Sequence, residues 1–377
     1  MLTLPRLASE PDTACTPAAV GHRSAEQSHV TSRPRIKDVA ALAGVAPSTV
    51  SAVLNDRNSP RAGAATRQRV LDAAKSLGYV PNEIARGLRT RRSMTVALIS
   101  DVIATTPYAG QLIQGAQDAA WRAGYLLLLV NTGGDEALEE RAIAALRQQQ
   151  VGGALYATMY HRVVPVPTSL AGLPLVFLDA RPADGSVPSV VPDEEAGART
   201  AVHELARHGH RRIAFALDQR EGPAATGRLA GYHSMMRDHG LPDDPALVVR
   251  ARSDSSGGRE AAHGLLALPQ RPTAIFAFND QMAIGVFHAA AERGLRIPED
   301  LSVVGFDDLY VIGREMLPGL TTVALPHYAM GEVAVDLLLG VVEGDIGPDP
   351  VVRLVDCPLV ERGSVGPVPL VVAEGAR

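Results

Sequence analysis

Cysteine is nearly absent from this chain: there are two in 377 residues, Cys15 and Cys357, with no CxxC spacing. A disulfide framework is therefore not expected, and a reducing compartment fits. No apolar run reaches the roughly 20 residues that a membrane-spanning helix needs. The N-terminus also lacks an apolar segment behind a basic start, so a secretory signal is not expected. These absences predict a cytoplasmic protein.

Motifs for catalysis and nucleotide binding are absent as well. We find no G-x-G-x-x-G, G-x-x-x-x-G-K-[ST], H-E-x-x-H or G-x-S-x-G, which are signatures of dinucleotide, phosphate, zinc and nucleophilic sites. His203, His208 and His210 cluster near a predicted helix end, but their spacing matches no metal site, and we expect solvated surface side chains. The sequence therefore predicts neither a cofactor nor a metal.

Charge is distributed unevenly along the chain, whose formal net charge is −5. Residues 31–95 carry twelve Lys and Arg against four Asp and Glu, whereas the rest of the chain is acidic. A basic segment joined to an acidic body is typical of nucleic-acid binding confined to the basic part. The length is sufficient for two or three domains.

The segment Ile36–Leu54 has the pattern of two short helices. Apolar residues recur at helical spacing in its first part, Gly44 favours a left-handed turn, and Pro47 suits the first position of a second helix. This pattern predicts a helix-turn-helix, although alone it also fits a generic helical hairpin. The outward face of the second helix is small enough to enter a major groove and presents Ser48, Thr49, Ser51 and Ala52.

A third helix is predicted over residues 64–77, with Leu77 facing inward and Gly78 ending it. Residues 80–94 contain a helical pattern too short to be stable alone, and several arginines surround Leu88. We interpret this segment as a linker that becomes ordered on binding, with Leu88 as a minor-groove wedge; a plain flexible linker is the alternative. Residues 1–34 show no helical or strand period, and we expect them to be disordered.

Apolar runs alternate with helical patterns through the remainder of the chain. Near-continuous apolar strands between helices indicate parallel sheets covered on both faces, and two such series predict two doubly wound lobes. Ligands bind such sheets at the carboxyl ends of the strands. Trp121 is expected in the core, whereas ligand contact and core packing remain open for Tyr232 and Phe306. The predicted strands are 95–100, 125–131, 151–157 and 174–179 in the first series and 211–217, 246–251, 274–280 and 301–308 in the second.

Polar residues stand where a ligand would meet these sheets. Asp179, Asn279 and Asp307 end predicted strands, and Arg228 opens a predicted helix. Carboxylate and amide oxygens accept hydroxyl hydrogen bonds, and a guanidinium donates several, which suits a sugar or another polyhydroxylated ligand. The alternative for each residue is a cap on the next helix, which is the interpretation we prefer for Asp280.

The order and combination of motifs resemble the lactose-repressor (LacI/GalR) family of transcription regulators, over residues 35–366. The resemblance implies an all-α helix-turn-helix head and an α/β two-lobed body, similar to periplasmic binding proteins, with two doubly wound parallel sheets. The matching motifs are IKDVAALAGV, TVSAVLN, TRQRV, LGYVPN and ARGLRTRRS in the basic part and TVALI, HGHRRIAF, GRLAGY, PTAIFAFNDQMAIG, LSVVGFDD, LTTVALP and RGS in the body.

The resemblance also implies a division into domains and a ligand site. The lobes would share several crossovers and hinge about a cleft, where Asp179, Arg228, Asn279 and Asp307 match effector-contacting positions. The implied segments are a tail of residues 1–34, a helix-turn-helix domain of 35–80, a hinge of 81–93, a first lobe of 94–191 with 324–355, a second lobe of 192–323 with 356–366, and a tail of 367–377.

Two departures from the family pattern affect the implied DNA contacts. Many members have Ser in place of Ala46, which would cap the second helix, and Arg in place of Ala52. Loss of that Arg removes a guanine contact worth ~1–3 kcal/mol of discrimination, so readout is expected to depend more on Ser48, Leu88 and DNA deformability. By position the family implies groove contacts from Pro47, Ser48, Ser51 and Ala52, phosphate contacts from Thr49 and Asn55, and hinge contacts from the basic Arg86 and the intercalating Leu88.

These features together predict a cytoplasmic repressor that binds a roughly palindromic operator as a homodimer and responds to a small-molecule effector. Two other classes remain as alternatives. A solute-binding or transport module shares the two-lobed body, but it needs an export signal and no basic head. A doubly wound enzyme needs a phosphate loop or a catalytic constellation, and we find neither.

Overall fold

The computed structural model describes residues 34–55, 62–79, 93–103, 106, 109–309, 312–346 and 350–368. It divides the chain into two compact units, Met1–Asn82 and Glu83–Arg377, and we call their described parts the head and the body. Several predictions lie outside the described residues: those for the N-terminal tail, for Arg86 and Leu88 in the hinge, for the last nine residues, and for the Asn55 side chain.

The head consists of three helices, α1 (Ile36–Ala43), α2 (Pro47–Asn55) and α3 (Ala64–Leu77). Gly44 adopts a left-handed conformation with φ of 65°, and the next amide, Val45 N–H, donates to the Ala40 carbonyl at 3.0 Å. The chain bends by 101° between α1 and α2. Two helices at about 90–120° joined by a short glycine-containing turn are a helix-turn-helix, so the predicted head fold is confirmed.

The core of the head is small and is filled by short side chains, so the three helices pack closely. Gly78 ends α3 with φ of 62°, as predicted, and Tyr79 N–H donates to the Ala74 carbonyl at 2.9 Å. Leu77 is 36% exposed, so the prediction that it faces inward is wrong. The buried side chains are Val39, Ala40, Ala43, Val50, Val53, Val70, Ala73 and Ala74.

The first lobe of the body contains a six-stranded parallel sheet in the order β11-β5-β4-β3-β1-β2. Three helices belong to this lobe: α4 (Ala109–Arg122), α5 (Glu136–Gln148) and α10 (His327–Glu343). The strands are β1 (Thr95–Ser100), β2 (Leu126–Asn131), β3 (Gly153–Val164), β4 (Leu175–Pro182), β5 (Ser189–Pro192) and β11 (Val352–Val355).

The second lobe contains another six-stranded sheet, in the order β12-β10-β9-β8-β6-β7, in which only the β10–β12 pair is antiparallel. Its helices are α6 (Glu194–Arg207), α7 (Pro223–Asp238), α8 (Ser255–Leu266) and α9 (Asp280–Glu292). The strands are β6 (Ile213–Asp218), β7 (Val248–Ala251), β8 (Ala274–Ala277), β9 (Ser302–Asp307), β10 (Thr321–Ala324) and β12 (Leu359–Val360).

The chain crosses between the lobes after β5, after β10 and after β11. The predicted pair of doubly wound lobes is confirmed, and every predicted strand overlaps an observed one. The prediction that Trp121 is a core residue is wrong, because its side chain is 72% exposed at the end of α4. In the described part of the chain no single helix is long and apolar enough to span a membrane; α1 and α2 meet that test only together, across their bend.

Candidate functional site

A cleft of about 210 Å³ lies between the two sheets of the body. Its walls come mainly from the last part of β3 and from β4 in the first lobe, and from residues at or after the ends of β6, β7, β8 and β9 in the second. Glu194 of α6 and Arg228 of α7 complete the second-lobe wall. This is where ligands meet doubly wound sheets. The structure brings all four predicted effector-contacting residues, Asp179, Arg228, Asn279 and Asp307, to the walls of this one cleft.

Arg228 is anchored in the second-lobe wall by a dense set of contacts. Its Nε donates to Glu194 Oε2 at 2.7 Å, and its Nη1 donates to the Phe278 carbonyl. The guanidinium carbon lies 3.6 Å from the centroid of the Phe306 ring, which is close enough for a cation–π contact. Burial opposes ionisation of Glu194, but the charge and hydrogen bond of Arg228, helped by the nearby His161 ring, lower the pKa of Glu194 below its ordinary value.

Asp179 sits opposite an irregularity in β3. Ala157 pairs with Leu178 and Arg162 pairs with Ala180, so four residues of β3, positions 158–161, face the single residue Asp179 of β4. Asp179 has a φ of 52°, and its carbonyl accepts a hydrogen bond from Thr158 Oγ1 at 2.7 Å. Such bulges redirect side chains, and here the redirected residues form part of the cleft wall.

The carboxyl groups of Asp179 and Asp307 have unusually high proton affinity. Burial, reinforced by the nearby Glu194 charge, raises the pKa of Asp179 to about 8. Burial also raises the pKa of Asp307 well above its ordinary value, although Arg228 opposes the shift from 3.7 Å away. Neither carboxyl group accepts a hydrogen bond from another described residue. Each can therefore accept a hydrogen bond from a ligand hydroxyl when ionised, or donate one when protonated.

Asn279 has a structural role besides lining the cleft. Its Oδ1 accepts the Met282 N–H at 2.8 Å as the N-cap of α9, and its Nδ2 donates to the Ser253 carbonyl at 3.1 Å. The prediction that Asp280 is the N-cap is therefore wrong. Asp280 is fully buried and accepts hydrogen bonds from the Leu309 N–H and from Thr322 Oγ1, at 2.7 and 2.6 Å.

Sequence reasoning missed several residues of the cleft wall. Asp218 could have been identified from the sequence, because it ends β6 just as Asp179 ends its predicted strand. In the structure its carboxylate accepts a hydrogen bond from Arg220 Nε at 3.0 Å. Tyr160 contacts two guanidinium groups, those of Arg162 and Arg220, whose carbons lie 5.2 and 5.1 Å from its ring centroid. The first-lobe residues Tyr160 and Arg162 were missed because β3 continues seven residues beyond its predicted end at position 157.

Other residues singled out from the sequence lie away from the cleft wall. Tyr232 is fully buried and donates from its hydroxyl to the Ile213 carbonyl at 2.8 Å, and Phe306 is also a core residue. His210 is buried, with ring nitrogens 2.9 Å from Thr273 Oγ1 and from Ser302 Oγ. The prediction of a solvated surface residue is therefore wrong for His210. Within the described residues, no three His, Cys, Asp or Glu side chains are arranged as metal ligands.

In the head, the outward face of α2 has the exposure expected of a docking surface. Pro47 and Ser48 are exposed, and Thr49, Ser51 and Ala52 are partly exposed, whereas Val50 and Val53 are buried on the opposite face. The Ala46 carbonyl accepts the Thr49 N–H at 2.9 Å. This face is formed by short side chains, so the helix backbone itself can approach a partner closely.

Two family models match the chain. The model described as bacterial regulatory proteins, lacI family, matches residues 35–82, and the model described as a periplasmic binding protein-like domain matches residues 202–365. Among curated relatives, the ribose operon repressor of Escherichia coli (strain K12) is 34% identical over 81% of this chain and 92% of its own length. The transcriptional repressor CytR of the same strain is 34% identical over 89% of this chain and 97% of its own.

Solved structures show the same similarity over most of the chain. The lac repressor dimer bound to operator and the anti-inducer ONPF has a TM-score of 0.71 and 26% identity, covering 89% of this chain and 100% of that one. The complex of the transcriptional regulator CelR with cellobiose has a TM-score of 0.62 and 32% identity, covering 88% of this chain and 100% of that one.

Proposed function

The chain belongs to the lacI family of bacterial regulatory proteins, and on that premise we propose that it is a transcriptional repressor whose affinity for operator DNA is set by a small effector in the cleft. The observation that carries the proposal is one chain with a helix-turn-helix head and a two-lobed body whose cleft is lined by polar strand-end residues. Family membership argues against the enzyme and transport alternatives. We further propose that it acts in the cytoplasm, where bacterial DNA is found.

The DNA-binding surface we propose is the exposed face of α2. Pro47, Ser48, Ser51 and Ala52 would meet base edges in the major groove, and Thr49 and Asn55 would meet phosphates. Short side chains allow close approach of α2 to the groove, and the Ser48 hydroxyl can donate to or accept from a base edge. We propose that Leu88 and Arg86, in the hinge segment of residues 81–93, complete the contact in the minor groove.

The effector we propose is a small neutral molecule bearing several hydroxyl groups. Asp179, Asn279 and Asp307 offer carboxyl and amide groups to hydroxyls, and Arg228 is held rigidly beside them by Glu194. The cleft volume of about 210 Å³ is below the ~300–1,000 Å³ usual for drug-sized ligands, which favours a single sugar ring. The ribose named for one relative is a single-ring sugar and agrees with this size, whereas the cellobiose named for another has two rings.

We propose that the chain works as a homodimer that joins through the first lobe. Trp121, at the end of α4, and Leu126 and Leu129, on the edge strand β2, are 72%, 60% and 42% exposed. Leu126 and Leu129 are three residues apart in β2 and point to opposite faces of the sheet, so the exposed apolar surface follows the sheet edge; we call these three residues the apolar cluster. Exposed apolar surface along an edge favours a protein partner, and a second copy matches the dimer named for the lac repressor structure. Two heads related by a two-fold axis would read a roughly palindromic operator.

Effector and DNA would be coupled through movement of the lobes, with the hinge segment ordering on DNA in only one arrangement. The proposal is tested by selecting DNA fragments from the source genome with the full-length protein at near-physiological salt. We expect enrichment of a few fragments with a palindromic site. Replacing Ser48 by Ala should reduce that enrichment, whereas Ser76→Ala, on α3, should leave it unchanged. Uniform retention of all fragments would contradict the proposal, because charge alone explains it.

A further inference from the structure

His161 is a buried histidine in the irregular stretch of β3 that faces Asp179. Its side chain is 3% exposed and lines the cleft, and neither ring nitrogen has a hydrogen-bond partner among the described residues. Buried polar atoms without a partner are costly, and native proteins contain few of them. An imidazole left in this state beside a ligand cleft indicates that the ligand supplies the missing partner.

Glu194 determines which nitrogen is available. Its Oε1 lies 3.6 Å from His161 Nδ1, while its Oε2 accepts the hydrogen bond from Arg228. A carboxylate on one side of a neutral imidazole favours the tautomer with the proton on that side. The proton is therefore assigned to Nδ1, and Nε2 carries the lone pair that can accept a hydrogen bond.

The charges around His161 favour a neutral ligand over an anionic one. Each of the three arginines of the cleft wall already has a carboxylate partner: Arg228 pairs with Glu194, Arg220 with Asp218, and Arg162 with Asp101. A phosphate would therefore have to compete with those carboxylates and would face the remaining acids. The carboxyl groups that line the cleft are Asp179, Glu194, Asp218, Glu221 and Asp307.

We propose that His161 is a specificity-determining residue of this cleft, with Nε2 accepting a hydrogen bond from a hydroxyl of a neutral sugar-like effector while Glu194 orients the ring. The inference rests on the function proposed above and adds a first-lobe contact that determines which ligands are accepted. Glu194 also links the two lobes, because it contacts His161 of β3 in the first lobe and Arg228 of α7 in the second.

The experiment is calorimetric titration of the full-length protein with neutral monosaccharides, beginning with D-ribose, and with ribose 5-phosphate. His161→Asn keeps an amide near the Nδ1 position but loses the Nε2 group, whereas His161→Gln puts an amide near the Nε2 position. For the sugar that the wild type binds, we expect His161→Asn to weaken binding about tenfold and His161→Gln to restore most of the affinity. His288→Asn, at an exposed position on α9, is the control and should bind as the wild type does.

The outcomes separate this inference from the proposed function. If a sugar binds but the order of the two variants is reversed, His161 only supports Glu194 and the inference is wrong, while the proposed function stands. Equal binding by both variants and the wild type has the same meaning. If no neutral monosaccharide binds the wild type, or ribose 5-phosphate binds more tightly than D-ribose, the effector class proposed above is wrong, and so is the role assigned to His161.

Discussion

Arg228 and Glu194 form a buried ion pair, with 2.7 Å between Nε and Oε2 and no more than 5% of either side chain exposed. Glu194 is the first residue of α6, directly after the chain crosses from the first lobe to the second. Arg228 belongs to α7 and lines the cleft. The pair therefore fixes a crossover against the cleft wall, and its removal should affect both stability and ligand binding.

The first prediction concerns this ion pair. Replacing Arg228 by Met leaves the Glu194 carboxylate buried without its partner, and we expect the free energy of unfolding to fall by about 3–5 kcal/mol. Urea denaturation of the full-length protein measures this loss. The control is Arg259→Met, which breaks the exposed pair with Glu292 and should cost no more than about 1 kcal/mol. Equal losses in the two variants would show that the burial of the Arg228 pair is unimportant.

The second prediction concerns pH and Asp179. The pKa of Asp179 is about 8 in the folded protein, raised from an ordinary value of 3.8 mainly by burial. The unfolded chain therefore releases this proton first, and the wild type should lose stability relative to Asp179→Asn as the pH rises from about 4 to about 8. The difference in the free energy of unfolding between the two proteins should change by no more than about 1.4 kcal/mol per pH unit.

Urea unfolding at a series of pH values measures that difference between wild type and Asp179→Asn. Asp280, whose pKa burial raises to about 7, contributes a change of the same sign in both proteins, so the test rests on the difference between the two curves. The exposed Asp345→Asn is the control and should run parallel to the wild type. Parallel curves for wild type and Asp179→Asn would refute the assignment.

The third prediction concerns the turn of the head. Gly44 has φ of 65° and no heavy atom within 4 Å of an added Cβ, so Gly44→Ala introduces backbone strain without a clash. We expect a cost of roughly 1–2 kcal/mol, seen as faster amide hydrogen exchange in residues 34–55 and weaker DNA binding. Asn tolerates the left-handed conformation, so Gly44→Asn should be milder. If the amides of Gly44→Ala exchange no faster than those of Gly44→Asn, the left-handed conformation does not cause the strain.

The fourth prediction concerns the apolar cluster of the first lobe. Trp121→Glu puts a charge into the proposed dimer contact and should produce monomers at concentrations where the wild type is dimeric, as measured by sedimentation velocity. Leu317→Glu is a matched control, because Leu317 is 93% exposed but lies outside the cluster. A dimer that survives Trp121→Glu, or one that Leu317→Glu disrupts equally, would place the interface elsewhere.

Local patterns in the sequence were sufficient for much of the fold. Gly44 and Gly78 mark helix ends because a left-handed residue there needs no side chain, and apolar runs mark the parallel strands because both sheet faces are covered. The strand-end position also identified Asp179 and Asp307 as cleft residues. In each case the signal lies within a few consecutive residues.

What the sequence could not predict depends on contacts between distant segments. His161 enters the cleft through a register shift between β3 and β4, which has no local signature. His210 is buried because its ring contacts Ser302 and the Gly366 carbonyl, which are 92 and 156 residues away in the chain. Asp280 is engaged by Thr322 rather than by its own helix. Trp121 is apolar but 72% exposed, and helical periodicity does not distinguish an apolar side chain of the core from one left at the surface.

The most direct test of the account is the affinity of the full-length protein for its selected palindromic fragment, measured by fluorescence anisotropy with and without the neutral sugar that binds the cleft. We predict a change of about 5- to 150-fold in the dissociation constant, the usual range of allosteric coupling, and its loss in Arg228→Met. A sugar that occupies the cleft at saturation and leaves the affinity for the fragment unchanged would contradict the central claim.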